Sequence, residues 1–187
     1  MWYHPCPPID PRTYRLKVGG LVDQPLEASV ADMRKWPQVT QSSRMKCVQC
    51  WSARNNWSGF RFGEILERAK PRKTAKAIRV DCADKWYEYF TLEEIRQPRV
   101  LMCLDLEGKP LPDQHGAPLR LLDPARYGYK SAKLITAITF VAEGKGSMAC
   151  DLGPYYSPSG EILPGYDHPQ DLGKARRKIK GGEITEY

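Results

Sequence analysis

No apolar run in this chain is long, and proline or glycine repeatedly interrupts the pattern, so only short strands and one- or two-turn helices are open to it. Residues 14–22 alternate Tyr14, Leu16 and Val18 against Arg15 and Lys17, the period of two that buries one side of a strand, and Gly19-Gly20 permits a bend. Residues 77–82 and 86–90, joined by the polar turn Ala83-Asp84-Lys85, read as two strands. Residues 100–106, 119–122 and 134–141 read as three more, the last rich in β-branched side chains. Residues 44–50 suit a buried strand leading into an irregular loop over residues 52–59. Helices are few: Ser29 caps one over residues 30–35, ended by Trp36-Pro37, and Phe62, Ile65, Leu66 and Ala69 share one face of a second, closed by Pro71. Thr91 with Glu94 forms a capping box on a third, which must end before Pro98. Many short strands with few short helices predict an α+β fold of mixed β-sheets, and the lack of regular βαβ alternation argues against a doubly wound nucleotide fold.

A chain of 187 residues suits one domain with a real core. The expected body is residues 1–143. Residues 144–187 turn to glycine, proline, tyrosine and charge without periodicity, and are expected to form an extended tail packed on the same domain. With no apolar stretch near the ~18 residues of a helical span, an integral membrane protein is not expected. Met1-Trp2-Tyr3-His4-Pro5 has neither a basic nor an apolar leader region, so the expected location is periplasmic or exported if a leader has been removed, and otherwise cytoplasmic. Net charge is 29 − 22 = +7, but residues 174–180 hold five cations and no acid, which leaves +2 elsewhere. Aromatic side chains do not interleave with that run, so it reads as a solvated or docking segment and no nucleic-acid partner is expected.

Three places could carry chemistry. Cys47, in Arg44-Met45-Lys46-Cys47-Val48, has two close cations, which favour the thiolate that binds metal; a small buried hydrophobe is the other reading. Cys47-Val48-Gln49-Cys50 spells a CxxC, yet the other cysteines (Cys6, Cys82, Cys103, Cys150) and the histidines stand singly, without the second ligand pair of a zinc site. A redox dithiol would open a helix, and Trp51-Ser52-Ala53-Arg54 does not. Mostly reduced, buried thiols are expected. The third place is Gln114-His115-Gly116-Ala117-Pro118-Leu119-Arg120 with Tyr127-Gly128-Tyr129-Lys130-Ser131-Ala132-Lys133, where glycines allow close backbone approach and Arg, Lys and Ser offer donors to a phosphate. No Gly-x-Ser-x-Gly or His-Glu-x-x-His motif supports a hydrolase.

In their order, Ile9-Asp10-Pro11-x-x-Tyr14-Arg15-Leu16, Arg44-Met45-Lys46-Cys47-Val48-x-x-Trp51-Ser52, Trp57-x-Gly59-Phe60, Gly116-Ala117-Pro118-Leu119-Arg120-Leu121 and residues 127–133 resemble the molybdopterin-binding domain of the sulfite oxidase family. The likeness covers about residues 9–141 and is greatest to the bacterial protein-methionine-sulfoxide reductase branch. It implies the sulfite-oxidase-type fold and a molybdenum–molybdopterin cofactor that moves an oxygen atom with two electrons. It makes Cys47 the protein thiolate on molybdenum, a soft ligand suited to the metal. Arg120 would meet the pterin phosphate, with Tyr129, Lys130, Ser131 and Lys133 in the cofactor loop. Cys82 stands where the reductase branch has Thr, and His115 where it has Asn; both are expected to bind the cofactor. Arg54 and Asn55, with Asn56, follow the metal cysteine closely and are expected to meet substrate. Leu104 stands where sulfite oxidases carry an active-site tyrosine, so reduction of a small or protein-bound oxide such as a sulfoxide is expected over the alternatives, sulfite oxidation or a cofactor-free binding module that kept the fold. Trp51 after Cys50 leaves no haem-attachment Cys-x-x-Cys-His, so electrons are expected from a separate haem- or quinone-linked partner.

Overall fold

The strands of the computed structural model, which describes residues 3–48, 52–153 and 156–162, sort into two five-stranded sheets. The first runs β2 (Leu26–Ala28), β1 (Leu16–Gly20), β10 (Ile135–Val141), β5 (Ala77–Cys82), β6 (Tyr87–Thr91). Its pairs are antiparallel except β1 with β10, which run parallel with Lys17 opposite Ala137. The second runs β3 (Gln38–Lys46), β4 (Ser52–Arg61), β7 (Leu101–Leu106), β8 (Lys109–Pro110), with β9 (Arg120–Leu122) also on β7.

The short helices begin where the sequence supplies caps. Ser29 and Asp32 close a capping box on α1 (Val30–Met33), and Thr91 and Glu94 close one on α3 (Leu92–Ile95). Between them, α2 (Gly63–Ala69) ends at Lys70 in the left-handed conformation, just before Pro71. Residues 148–152 form α4 (Met148–Leu152), capped by the buried hydroxyl of Ser147.

One main core joins the sheets: Leu16, Val80 and Ile138 from the first meet Phe60, Met102, Leu104 and Leu121 from the second, with Met33 and Ile65 from α1 and α2. Alternation sends the neighbours of those second-sheet residues to the opposite, outer face. There Trp57, Leu101, Cys103 and Leu122 form a smaller cluster with Leu111, flanked by Met45 and Ala117.

The expected loop over residues 52–59 is a strand. β4 pairs with β3 along nearly its whole length, from Lys46 opposite Ser52 to Gln38 opposite Phe60, and β3 begins six residues before the expected start at Arg44. Neither half looks apolar, because its polar side chains are satisfied by one another: Gln41 donates to Ser43 Oγ and to the Arg99 carbonyl. Gly59 also reads as a loop residue, yet a Cβ there would lie 1.9 Å from the Met102 carbonyl oxygen, so glycine is what lets β4 close on β7.

Residues 144–153 and 156–162 lie against the body rather than apart from it. Ser147 Oγ donates to buried Glu88, the Pro158 carbonyl accepts from Lys130, and Ile162 is buried. The basic run at residues 174–180, the rest of the expected tail beyond 162, and Cys50 lie outside the described residues. Among the described residues, no helix is long and apolar enough to cross a membrane.

Candidate functional site

Strand β3 ends at buried Lys46, and Cys47 is the first residue past it. Partly buried, Cys47 packs on the cluster of Val48, Tyr127 and Ile162, beside Tyr129 and Tyr156. Lys46 and Tyr127 form a parallel backbone bridge, and Gly128 would place a Cβ only 3.3 Å from the Lys46 carbonyl oxygen, so the 127–133 loop lies directly against the cysteine-bearing strand end. The expected loop is therefore brought to the expected thiol. Cys47, Cys6, Cys82, Cys103 and Cys150 are free thiols; only Cys82 and Cys103 are buried, fewer than expected.

Arg120 sits behind this junction at 3% exposure. Its Nη1 donates to the His115 carbonyl (2.9 Å), Nη2 approaches the Ser131 carbonyl (3.3 Å) and Met45 Sδ (3.7 Å), and the guanidinium lies 4.9 Å from the Trp57 ring centre. All of these are neutral groups. Burial lowers its pKa to about 10, with Cys103 opposing. A buried cation without a carboxylate is costly unless an anion completes it. The backbone ladder Leu121 N to Ala132 O (2.8 Å) and Ile135 N to Leu119 O (3.1 Å) fixes the 119–121 and 132–135 segments side by side.

At the edge of the same cradle, Gly116 has φ +97° and a Cβ there would lie 2.6 Å from Lys133 Cβ, so the turn can close on Lys133 only as glycine. Lys133 Nζ donates to the Gln114 carbonyl (3.3 Å), and burial is the main cause lowering its pKa. His115 is exposed, and its pKa is lowered by burial first, then by Arg120 and Lys133. Ser131 Oγ accepts from Asp123 N, and buried Asp123 is paired with Arg126 at 2.6 Å.

Other expected contacts point elsewhere. Lys130 is fully buried: its ammonium is ion-paired with Glu88 (2.8 Å) and donates to the Tyr89 carbonyl (2.7 Å) and the Pro158 carbonyl (3.0 Å), so it is engaged in holding the loop. Tyr129 gives its hydroxyl proton to the Ser157 carbonyl at 2.7 Å. Cys82 ends β5 inside the main core; burial first, then Asp84, pushes its thiol pKa well up. Arg54 and Asn55, adjacent on β4, point to opposite faces. Asn55, opposite Ser43, shares the outer face with Trp57, whereas Arg54, opposite Arg44, does not. Asn56 is tied to Glu107. Leu104 turns into the main core, the face away from Arg120.

Sequence reasoning missed the role of Asp84. Its carboxylate accepts from Tyr3 N (2.9 Å), its carbonyl accepts from His4 N (3.2 Å), and the Tyr3 ring packs edge-on to Trp86. Cys6, whose thiol pKa is raised by burial and by Asp84 and lowered by Lys133, continues this segment toward the cradle. An aspartate in a tight turn opposite an unassigned N-terminal segment was the available signal.

Residues 3–148 match the family profile described as the oxidoreductase molybdopterin binding domain. The chain belongs to this family. Among curated proteins it is similar to the protein-methionine-sulfoxide reductase catalytic subunit MsrP of Xanthomonas axonopodis pv. citri (strain 306), at 34% identity over 185 residues, 90% of this chain and 58% of that protein. The protein of the same name from Ralstonia nicotianae is 32% identical over 194 residues, 93% of this chain and 59% of that protein. The chain thus spans less than two thirds of these relatives. Among solved structures, the sulfane dehydrogenase SoxCD of Paracoccus pantotrophus shares the fold, with a TM-score of 0.68 at 20% identity over 73% of this chain and 40% of that one. The family's fold is therefore the α+β arrangement of two sheets described above.

Proposed function

We propose that this chain is a molybdenum-dependent oxidoreductase that binds molybdopterin and reduces a sulfoxide, either small or carried on a protein, and that it works in the periplasm with a separate electron-transfer protein. The observation that carries the reading is Arg120: a buried guanidinium held only by neutral groups, beside the strand end that presents Cys47. The donor set fits the cofactor. Arg120, Ser131 and Lys133 would hold the anionic and polar parts of the pterin, and Cys47 would give the metal its thiolate. A bound molybdenum centre supplies the two-electron, oxygen-atom chemistry.

The chain's own groups do the rest. The Gly116 turn and the 127–133 loop bring backbone close to the ligand, and Lys133 and the exposed His115 offer donors at its edge. Asn55, on the outer face of β4 with Trp57, would meet a substrate, whereas Arg54 belongs to the other face. Similarity to the MsrP proteins favours sulfoxide over other oxides as substrate.

Metal analysis tests the reading. Protein made in a molybdopterin-producing host is expected to carry near one molybdenum per chain and to oxidise a reduced viologen dye when methionine sulfoxide is added. Cys47→Ser is expected to lose that activity and change the metal's absorption spectrum. A folded wild type without molybdenum from such a host would overturn the proposal, and fast sulfite-dependent dye reduction would replace sulfoxide reduction by oxidation.

A further inference from the structure

Six arginines among the described residues (Arg12, Arg34, Arg68, Arg72, Arg79 and Arg126) are paired with carboxylates. Arg61 and Arg99 are held differently. Arg61 Nη1 donates to Gln41 Oε1 (2.5 Å), while Arg99 Nη2 donates to the Ser42 carbonyl (2.7 Å) and to Ser43 Oγ (2.8 Å). Gln41 and Ser43 are buried and locked together, so they aim the two guanidiniums as a fixed frame. All of these partners are neutral, and Arg99 Nε is buried without an acceptor among the described residues. Burial and the charge of Arg99 both lower the pKa of Arg61, as expected of two cations held near each other without an acid between them.

We propose that Arg61 and Arg99 form an oxyanion site on the outer face of the second sheet, and that its ligand is a carboxylate carried by an acidic peptide. The fork of a guanidinium matches a carboxylate with two parallel bonds, and two forks on one rigid frame select for an anion. Position decides the source of the anion. Ser43 lies four residues before Cys47 on β3, roughly 13 Å along the strand, and Asn55 stands opposite it. A small sulfoxide at the Cys47 end cannot span that distance, whereas an extended chain of about four residues can. Resting on the proposed function, the site makes sulfoxides flanked by Glu or Asp the preferred protein substrates.

The test uses the full 187-residue chain and a fluorescein-labelled peptide, Glu-Glu-Glu-Glu-Met-Gly, followed by anisotropy, with the all-Gln peptide as control. The acidic peptide is expected to bind more tightly than the Gln peptide. Arg61→Gln and Arg99→Gln are each expected to weaken it by about 3- to 10-fold. Arg61→Lys, which keeps the charge, is expected to recover part of the loss, and unchanged circular dichroism shows that the variants fold. Inorganic phosphate at millimolar concentration is expected to compete. Equal binding of Glu and Gln peptides, or wild-type binding by the double variant, overturns the site; phosphate binding without peptide binding overturns the peptide assignment. None of these readouts needs molybdenum, so a chain that binds the peptide but holds no metal defeats the proposed function and leaves this site intact, and a loaded enzyme with no peptide preference does the reverse.

Discussion

At the scale of the residue, the cradle depends on two positions whose chemistry can be tested singly. Gly116 takes φ +97° with Lys133 Cβ 2.6 Å from where a Cβ would stand, so Gly116→Ala carries both backbone strain and a clash. It is expected to cost about 1–3 kcal/mol in urea unfolding, more than alanine at an open glycine. Gly63, with nothing near its Cβ, is the comparison. His115 gives a pH signature. Its folded pKa is depressed, by burial first and then by Arg120 and Lys133, so the unfolded chain takes up the proton more readily. Stability contributed by His115 is therefore present above the unfolded value of about 6.5 and is lost as pH falls through it. The melting temperature of the wild type is expected to drop relative to His115→Gln between pH 7.5 and pH 5; parallel curves would show that the ring is not held as described.

At the scale of the element, the 127–133 loop is held by a buried ion pair. Lys130 meets Glu88 of β6 at 2.8 Å, and Glu88 also accepts from Trp86 Nε1 (3.1 Å) and from Ser147 Oγ (2.7 Å), the cap of α4. Burial raises the Glu88 pKa and Lys130 opposes it. Removing one partner strands a buried charge, so Lys130→Met is expected to cost about 3–5 kcal/mol, and the double variant Lys130→Met, Glu88→Leu to recover a large part of it. Additive costs in urea melts would mean the pair does not couple loop, strand and tail helix. The same scale shows why part of the site could be read in advance and part could not. Cys47, Arg120 and Ser131 are local in sequence motifs. The direction of Lys130 is set by Glu88, 42 residues away (130 − 88), and no spacing in the loop reveals it. Likewise β3 and β4 are polar strands stabilised by each other and by Arg99, so hydrophobic period, the main strand signal, was silent there.

At the scale of the whole molecule, the fold class, most strands and the three helices before residue 98, two of them with capping boxes, were readable, because period and caps are local properties. What was not readable was the division of strands between sheets, which depends on pairings across the chain. Since both sheets and both α1 and α2 feed one core, they are not expected to unfold separately. Tryptophan fluorescence, with Trp36 against the main core and Trp57 in the outer cluster, and far-ultraviolet circular dichroism are expected to give coincident urea transitions; separated midpoints would show two independent units. The parallel pairing of β1 with β10 has a consequence for how the protein is made. Lys17 and its partner Ala137 are 120 residues apart (137 − 17), and β10 is the strand between β1 and β5. At ~5–20 residues per second, the first strand leaves the ribosome roughly 6–24 s before its neighbour exists. Until β10 is made the first sheet has a gap at its centre, and the nascent chain exposes the edge of β1, joined about halfway through by that of β5, to any chaperone that recognises open strands.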